Sequence, residues 1–321
     1  MRRILFGLML AGSATMASAA SPPLPAGPAP AAADGAADSA VTLGTDRVER
    51  MTVPVSIAGI DGIRFVVDTG AERTVVSRQL ADRLGLATGP MRRLVSVTGT
   101  DTVATVIVPT LQLSGTPVAS IEAPALDAAH IGASGLLGLD SLQSRRVLLD
   151  FKRNQMTISP ARKREERWDD DTIVVRAKNR YGQLILVDSS IGGQRIQVII
   201  DTGAETSIGN MALLKKLAGR RRPPPLQPVT ITSVTGQTIV AQYSQIPEIK
   251  IGGVTLNNLP VAFTDAEPFR RFGLASRPAL LLGMDALRLF DRVSVDFANR
   301  QVKFLPPDMS MSPARTLLAW R

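Results

Sequence analysis

The chain has 321 residues, of which 45% are hydrophobic, and a formal net charge of +9 at pH 7. This length and apolar content are enough for one or two well-buried cores. The chain has no cysteine and a single histidine, His130, which excludes disulfides, cysteine nucleophiles and the usual zinc sites. No glycine-rich phosphate loop occurs, so the sequence implies no metal or nucleotide cofactor. We predict that His130 is exposed in a loop of small residues.

The first 19 residues have the pattern of a secretory signal peptide. Arg2 and Arg3 form a basic start, residues 4–16 are apolar but interrupted by glycine and serine, and Ala17-Ser18-Ala19 is a small-x-small cleavage site. An uncleaved membrane anchor is the alternative, but the apolar run is shorter than the ~20 residues that a span needs. We therefore expect a periplasmic or secreted protein, without a transmembrane span once the signal is removed.

Composition divides the remaining chain into two domains and their connections. Residues 20–40 are rich in Ala, Pro, Gly and Ser, a composition that cannot bury a core and is typical of a flexible segment. Residues 41–160 and 172–306 are the predicted first and second domains. A charged linker, residues 161–171, separates them, and residues 307–321 form a C-terminal tail.

Positive charge is concentrated in a few segments. Loss of Arg2 and Arg3 with the signal leaves a net charge of +7, and the excess lies in the linker, at Arg220-Arg221-Arg222 and at Arg270-Arg271. Such clusters suit either nucleic-acid binding or solvated loops. Export, only two tyrosines and the lack of a nucleic-acid-binding motif favour solvated loops. No nucleic-acid partner is expected.

Most apolar segments are short and rich in Val, Ile and Thr, which predicts strands. In the first half the predicted strands are Val53–Ile57, Ile63–Val67, Leu94–Val97, Val103–Val108, Val147–Phe151 and Met156–Ile158, and counterparts recur in the second half. One helix is predicted per half, capped by Ser77 and ended by Gly85 in the first, and capped by Asn210 and ended by Gly219 in the second. The predicted fold class is all-β, mainly β with one short helix per repeat.

The tetrapeptide Asp-Thr-Gly-Ala occurs twice, at residues 68–71 and 201–204, each time directly after a short apolar strand. The match between the two halves continues downstream, through Leu136-Leu137-Gly138 in the first half and Leu281-Leu282-Gly283 in the second. A repeat of more than 100 residues is too long for a solenoid unit and indicates two copies of one small domain.

Duplication supplies two carboxylates, Asp68 and Asp201, from equivalent positions. Two carboxylates held close together cannot both ionise easily, so the pair keeps one proton, and its ionised member can activate water. An aspartate that only satisfies loop amides is the alternative for either copy alone, but the presence of both within one repeat favours a catalytic pair. Asp140 and Asp285 could act as further acids, although their position after a glycine favours helix capping.

These motifs resemble the retropepsin-like and pepsin-like aspartic peptidases, in which two apolar residues precede Asp-Thr/Ser-Gly-Ala and a second apolar-apolar-glycine element lies beside the catalytic loop. The resemblance covers about residues 45–160 and 175–305, and it implies two tandem acid-protease domains that form a pseudo-two-fold bilobal unit. It makes Asp68 and Asp201 the catalytic residues. The supporting residues that it implies are Thr69, Gly70, Ala71, Thr202, Gly203, Ala204, Gly138 and Gly283.

Substrate contacts follow from the same resemblance. Glu72 and Glu205 lie where retropepsins commonly carry an aspartate that contacts the substrate backbone. The segments Thr98-Gly99 and Thr235-Gly236 are predicted hairpin tips, which resemble the flaps that close over the substrate, although plain turns are the alternative. Neither tip has the tyrosine typical of pepsins, so the resemblance is nearer to the retroviral type.

Taken together, the sequence predicts an exported aspartic endopeptidase that hydrolyses extended polypeptides with water activated between two aspartates, one from each repeat. Duplication makes the single chain sufficient and leaves a homodimer open. One alternative is a catalytically silent module of the cell envelope that binds peptides in the same cleft. Another pairs the halves of different chains.

Overall fold

A computed structural model gives the fold of the chain. It describes residues 50–113, 116–118, 120–161, 171–180, 182–186, 188–219 and 225–307, together with short strands at residues 3–6, 10–11, 40–42, 44–45 and 318–319. The predicted signal cleavage site, most of the charged linker and most of the C-terminal tail lie outside the described residues.

The first half consists of short strands with three helices. Its strands are β1 (Met51–Ile57), β2 (Ile60–Val67), β3 (Val75–Ser77), β4 (Arg92–Ser96), β5 (Gly99–Val103), β6 (Thr105–Val108), β7 (Leu111–Leu113), β8 (Thr116–Val118), β9 (Ile121–Leu126), β10 (Gly135–Leu137), β11 (Arg145–Asp150) and β12 (Gln155–Pro160). Its helices are α1 (Arg78–Leu84), α2 (Ala128–Ile131) and α3 (Leu139–Leu142).

The second half repeats this plan. Its strands are β13 (Ile173–Arg180), β14 (Gln183–Leu186), β15 (Ser189–Ile191), β16 (Gln194–Arg195), β17 (Gln197–Ile200), β18 (Ile208–Gly209), β19 (Gln227–Ser233), β20 (Thr238–Ile251), β21 (Val254–Phe263), β22 (Ala279–Leu282), β23 (Arg292–Asp296) and β24 (Gln301–Leu305). Its helices are α4 (Met211–Ala218), α5 (Glu267–Arg271) and α6 (Met284–Leu287).

The mainly-β prediction is confirmed, and the two predicted helices are present. Ser77 accepts a hydrogen bond from the Leu80 amide at the start of α1, and Asn210 accepts one from the Leu213 amide at the start of α4. The other four helices have only four or five residues, too short for a periodic apolar pattern to reveal them. None of the helices in the described part of the chain is both long and apolar enough to cross a membrane.

Equivalent strands in the two halves are hydrogen-bonded in the same order, β9–β3–β10–β2–β1 in the first and β21–β18–β22–β17–β14 in the second. In each sheet the strand before the Asp-Thr-Gly-Ala loop runs parallel to the strand of the apolar-apolar-glycine element, with Leu136 opposite Val66 and Leu281 opposite Ile199. This pairing sets the Asp-Thr-Gly-Ala loop beside the glycine of the second element.

A third sheet joins the halves. Its order is β12–β11–β23–β24–β13, so the central pair, β11 with β23, takes one strand from each half. The antiparallel register sets Leu148 opposite Ser294, and Asp150 accepts a 2.9 Å hydrogen bond from Arg292 Nε across the pair. Since the backbone hydrogen bonds of one sheet cross the boundary, the two halves form a single bilobal unit.

Candidate active site

The structure brings Asp68 and Asp201 together at the boundary between the halves, and both residues are fully buried, at 0% exposure. In the first loop, Asp68 Oδ1 accepts hydrogen bonds from the amides of Gly70 at 2.9 Å and Ala71 at 3.0 Å. In the second, Asp201 Oδ1 accepts from Gly203 at 3.0 Å and Ala204 at 3.2 Å. The two carboxyls are therefore held in the same way.

The other carboxyl oxygen of each aspartate is differently placed. Oδ2 of Asp68 and Oδ2 of Asp201 are both buried, and neither has a hydrogen-bond partner among the described residues. A buried polar atom without a partner is costly. Two such atoms at equivalent positions indicate a site that binds a polar group between the two carboxyls.

The threonines of the two loops bind each other's loops. Thr69 Oγ1 donates to the Ile200 carbonyl at 3.0 Å, and Thr202 Oγ1 donates to the Val67 carbonyl at 2.6 Å. Each hydroxyl also accepts from the amide of the other threonine, at 3.1 Å in both directions. These four buried hydrogen bonds fix the distance and orientation of one aspartate relative to the other.

Replacement of Thr69 by valine is expected to lower the free energy of unfolding by roughly 2–4 kcal/mol, because it leaves the Ile200 carbonyl and the Thr202 amide buried and unpaired. Thr69→Ser is the matched control, since it keeps the hydroxyl. Urea unfolding of both variants measures the difference. Equal stability of the valine and serine variants would show that the cross-loop hydrogen bonds contribute little.

The glycines of the motifs allow close approach of the two loops. A Cβ atom on Gly203 would lie 2.2–2.3 Å from the carboxyl atoms of Asp68. A Cβ on Gly138 would lie 2.3 Å from the Arg73 carbonyl carbon, and one on Gly283 would lie 2.8 Å from the equivalent atom of Thr206. No side chain fits at these three positions, so the loops can pack directly against each other and against the adjoining glycine elements.

The environment of the pair raises the pKa of both carboxyls. Burial, reinforced by the charge of Asp201, raises the pKa of Asp68 well above its usual value. Burial also raises the pKa of Asp201, to about 7, against the opposing effect of its two backbone hydrogen bonds and of Arg50. A single proton shared by two carboxyls, one of them ionised, is therefore the state expected near neutral pH. Nowhere in the described ranges do three potential metal ligands cluster.

Comparison with protein families agrees with this geometry. A model described as gag-polyprotein putative aspartyl protease matches residues 53–144, and one described as aspartyl protease matches residues 187–286. The two matches do not overlap, each contains one Asp-Thr-Gly-Ala loop, and together they span more than half of the chain. The chain belongs to the retropepsin-like aspartyl protease family, with two domains in tandem. Among curated proteins no match to the chain is found.

In these retropepsin-like halves, Asp140 and Asp285 lie in the first turns of α3 and α6, and Gly138 and Gly283 occupy the N-cap positions. Asp285 Oδ1 accepts a 2.8 Å hydrogen bond from the Ala286 amide in the first turn of α6, as the capping prediction requires. Both carboxylates have a second role that the sequence did not predict. Asp140 accepts from the amide and hydroxyl of Thr74, the hydroxyl at 2.6 Å, and Asp285 does the same for Ser207 at 3.0 and 2.7 Å.

These carboxylates satisfy buried groups behind the Asp-Thr-Gly-Ala loops. The Thr74 and Ser207 hydroxyls in turn accept from the Gly138 and Gly283 amides at 3.1 Å. Burial raises the pKa of Asp285 to about 6. Each carboxylate therefore stabilises the Asp-Thr-Gly-Ala loop of its own half through these hydrogen bonds.

The two predicted hairpins are confirmed, β4–β5 in the first half and β19–β20 in the second. Val97, at the first tip, is 1% exposed and belongs to the apolar cluster that contains Ala204 and Ile208 of the second half. Val234, at the second tip, is 0% exposed and belongs to the cluster that contains Ala71 and Val75 of the first half. Each hairpin tip thus packs against the opposite half, and its role as a flap stays a prediction.

Contacts between the hairpins and their surroundings correct the prediction for His130. Gln237, beside the second tip, donates a 2.6 Å hydrogen bond to Asp101 of the first hairpin. His130 is half-buried rather than exposed, because its ring lies against Gly236, where a Cβ would come within 2.3 Å of the imidazole. The small-residue loop that suggested exposure is α2, which lies under the second hairpin.

The two predicted substrate-contacting glutamates lie in different surroundings. Glu72 forms a salt bridge with Arg271, at the end of α5 in the second half, with a closest distance of 2.8 Å. Glu205 is half-buried, and its charge adds to the raised pKa of Asp285. A role in binding substrate remains a prediction for both, as it does for Thr98, Gly99, Thr235 and Gly236.

Sequence reasoning missed three residues of this site, Arg50, Gln183 and Arg271. Arg50 and Gln183 are both fully buried, at 0% exposure, and each contacts the catalytic loop of the opposite half. The signal was available, because the two positions are 133 residues apart, the same offset that separates Asp68 from Asp201. Arg50 ends a charged stretch, Arg47-Val48-Glu49-Arg50, whose composition predicts a solvent-exposed segment.

Proposed function

We propose that the chain is an exported aspartic endopeptidase that cleaves extended polypeptides with one catalytic pair, Asp68 and Asp201. Family membership supports peptidase activity in general, and the observation that carries the finer proposal is the pair of buried, equivalent carboxyls joined by reciprocal threonine hydrogen bonds. Export is proposed from the leader alone, with its basic start and small-x-small site.

The proposed chemistry is hydrolysis without a covalent intermediate. The ionised carboxylate takes a proton from a water molecule as the water oxygen attacks the peptide carbonyl carbon. The protonated carboxyl gives its proton to the carbonyl oxygen, which yields a tetrahedral diol. Transfer of a proton to the amide nitrogen then breaks the C–N bond, releasing a carboxylic acid and an amine.

Substrate access requires the hairpins to move. Both aspartates are fully buried, and the hairpin tips pack with residues that are close to them in sequence: Val97 belongs to the apolar cluster of Ala204, and Val234 to that of Ala71. Opening of the two hairpins would expose a cleft between the halves. An extended peptide could then hydrogen-bond along its backbone, and closure would exclude bulk water from the reacting bond.

Cleavage of a mixed peptide library, followed by mass spectrometry from pH 3 to pH 9, tests the proposal. Burial raises the pKa of both carboxyls, that of Asp201 to about 7, so the pair holds two protons at pH 4 and loses one of them as pH rises towards neutrality. We therefore expect faster cleavage near neutral pH than at pH 4. A well-folded protein that cleaves nothing across this range would contradict the proposal and favour peptide binding without catalysis.

A further inference from the structure

Arg50 and Gln183 occupy equivalent positions, but only one of them carries a charge. Arg50 donates through Nη1 to the Gly203 carbonyl at 3.3 Å and through Nη2 to the Ile131 carbonyl. Gln183 donates through Nε2 to the Gly70 carbonyl. Each side chain thus reaches from its own half to the Asp-Thr-Gly-Ala loop of the other. The Asp201 loop is contacted by a cation, and the Asp68 loop is contacted by a neutral amide.

The peptide units that these side chains contact are the ones that hold the aspartates. The Gly203 carbonyl and the Ala204 amide belong to one peptide unit, and that amide donates to Asp201. In the other loop the Gly70 carbonyl and the Ala71 amide form the corresponding unit, whose amide donates to Asp68. A donor on the carbonyl strengthens the hydrogen bond made by the amide at the other end of the same peptide.

The two chains of hydrogen bonds are therefore unequal. One runs from the Arg50 guanidinium through a peptide to Asp201, and the other runs from the Gln183 amide through a peptide to Asp68. A charged donor stabilises a carboxylate more than a neutral one does. We infer that Arg50 is a positioning residue that makes Asp201 the ionised member of the pair and leaves the proton on Asp68.

Burial raises the pKa of both carboxyls, and the charge of Arg50 lowers both. The preference for Asp201 therefore rests on the hydrogen-bonded peptide that joins it to Arg50. Four other acids lie near the pair. Asp140 and Asp285 bind Thr74 and Ser207 behind the loops, Glu72 is paired with Arg271, and the charge of Glu205 acts on Asp285. Within the proposed function, Asp201 would then take the proton from water and Asp68 would give its proton to the carbonyl oxygen.

Carboxyl carbon-13 NMR of aspartate-labelled protein tests the assignment without relying on cleavage. We expect Asp201 in the Asp68→Asn variant to titrate at least about one pH unit below Asp68 in the Asp201→Asn variant. Arg50→Gln, which makes the two halves alike at this position, should bring the two titrations together, and Arg50→Lys should keep most of the difference. Arg64→Gln removes one positive charge elsewhere in the first half, on a residue bound to Thr52, and should change nothing.

Two results would overturn the inference. If Asp201 titrates at the same pH as Asp68 or at a higher one, Asp68 is not the residue that holds the proton. If Arg50→Gln leaves the difference unchanged, Arg50 does not cause it; should that variant fail to fold, the comparison of the two asparagine variants still decides the order. The inference depends on the proposed function for its catalytic meaning, but a protein that titrates in the expected order and cleaves no peptide would overturn the proposed function alone.

Discussion

Asp201→Asn is expected to abolish peptide cleavage and, at the same time, to make the folded protein more stable at pH 7. Loss of a general base costs up to about four orders of magnitude in rate, and we expect a loss of at least about 1,000-fold. The asparagine can keep the two hydrogen bonds that the Gly203 and Ala204 amides donate to Oδ1, so the geometry of the loop should survive.

The gain in stability follows from the pKa of Asp201. Its usual value is 3.8, and in the folded protein it is about 7 because the carboxyl is buried. Between these values the folded protein keeps a proton that the unfolded chain has released, so the contribution to the free energy of unfolding falls as pH rises from about 4 to 7. Replacement of the carboxyl by an amide should therefore raise the free energy of unfolding by up to roughly 4 kcal/mol at pH 7 and change it little at pH 4.

Chemical unfolding at pH 4 and pH 7, together with a peptide-cleavage assay, checks both parts of this prediction. Asp82→Asn serves as the control, because Asp82 is an exposed residue of α1 and should affect neither measurement. An Asp201→Asn protein that cleaves peptides at the wild-type rate would contradict the catalytic assignment. A variant less stable than wild type at pH 7 would show that the buried carboxyl is not under electrostatic stress.

Gly203→Ala is expected to lower cleavage by at least about 100-fold even though it adds only one methyl group. The new Cβ would lie 2.2 Å from Asp68 Cγ and 2.3 Å from each of its oxygens. Asp68 cannot move away without losing the hydrogen bonds from the Gly70 and Ala71 amides. Displacement of one carboxyl relative to the other by about 1 Å is enough for a loss of this size, and overpacking should cost a further 1–3 kcal/mol or so of stability.

Gly253→Ala is the matched control for this substitution. A Cβ at Gly253 would have its nearest neighbour, Ile173, at 3.7 Å, an ordinary contact. Gly253→Ala should therefore keep the wild-type cleavage rate and melting temperature, whereas Gly203→Ala should lower both. Wild-type activity in Gly203→Ala would mean that the two loops do not approach as closely as the structure indicates.

The sequence predicts the local features of each half well, because they depend on neighbours along the chain. Ser77 and Asn210 cap their helices as expected, and the hairpins turn at the predicted tips. The repeat of Asp-Thr-Gly-Ala, with its apolar-apolar-glycine partner, is enough to identify the two loops from the residues alone.

Contacts between the halves could not be predicted in the same way. The salt bridge of Glu72 with Arg271 and the approach of His130 to Gly236 join residues more than 100 positions apart, and no spacing within one repeat encodes them. The second role of Asp140 could not be predicted for a related reason. A residue just after a glycine at a helix start suits a cap, but nothing in the sequence indicates that the Thr74 amide and hydroxyl, 66 positions away, also bind the carboxylate.

The most direct test of the account is to mix the Asp68→Asn and Asp201→Asn proteins and measure peptide cleavage, beside wild type over a range of dilutions. If the two aspartates of one chain form the site, each variant lacks half of it, the mixture stays inactive, and the wild-type rate per molecule is independent of concentration. Cleavage restored in the mixture would show that intact halves of different chains combine, and would contradict a catalytic pair formed within one chain.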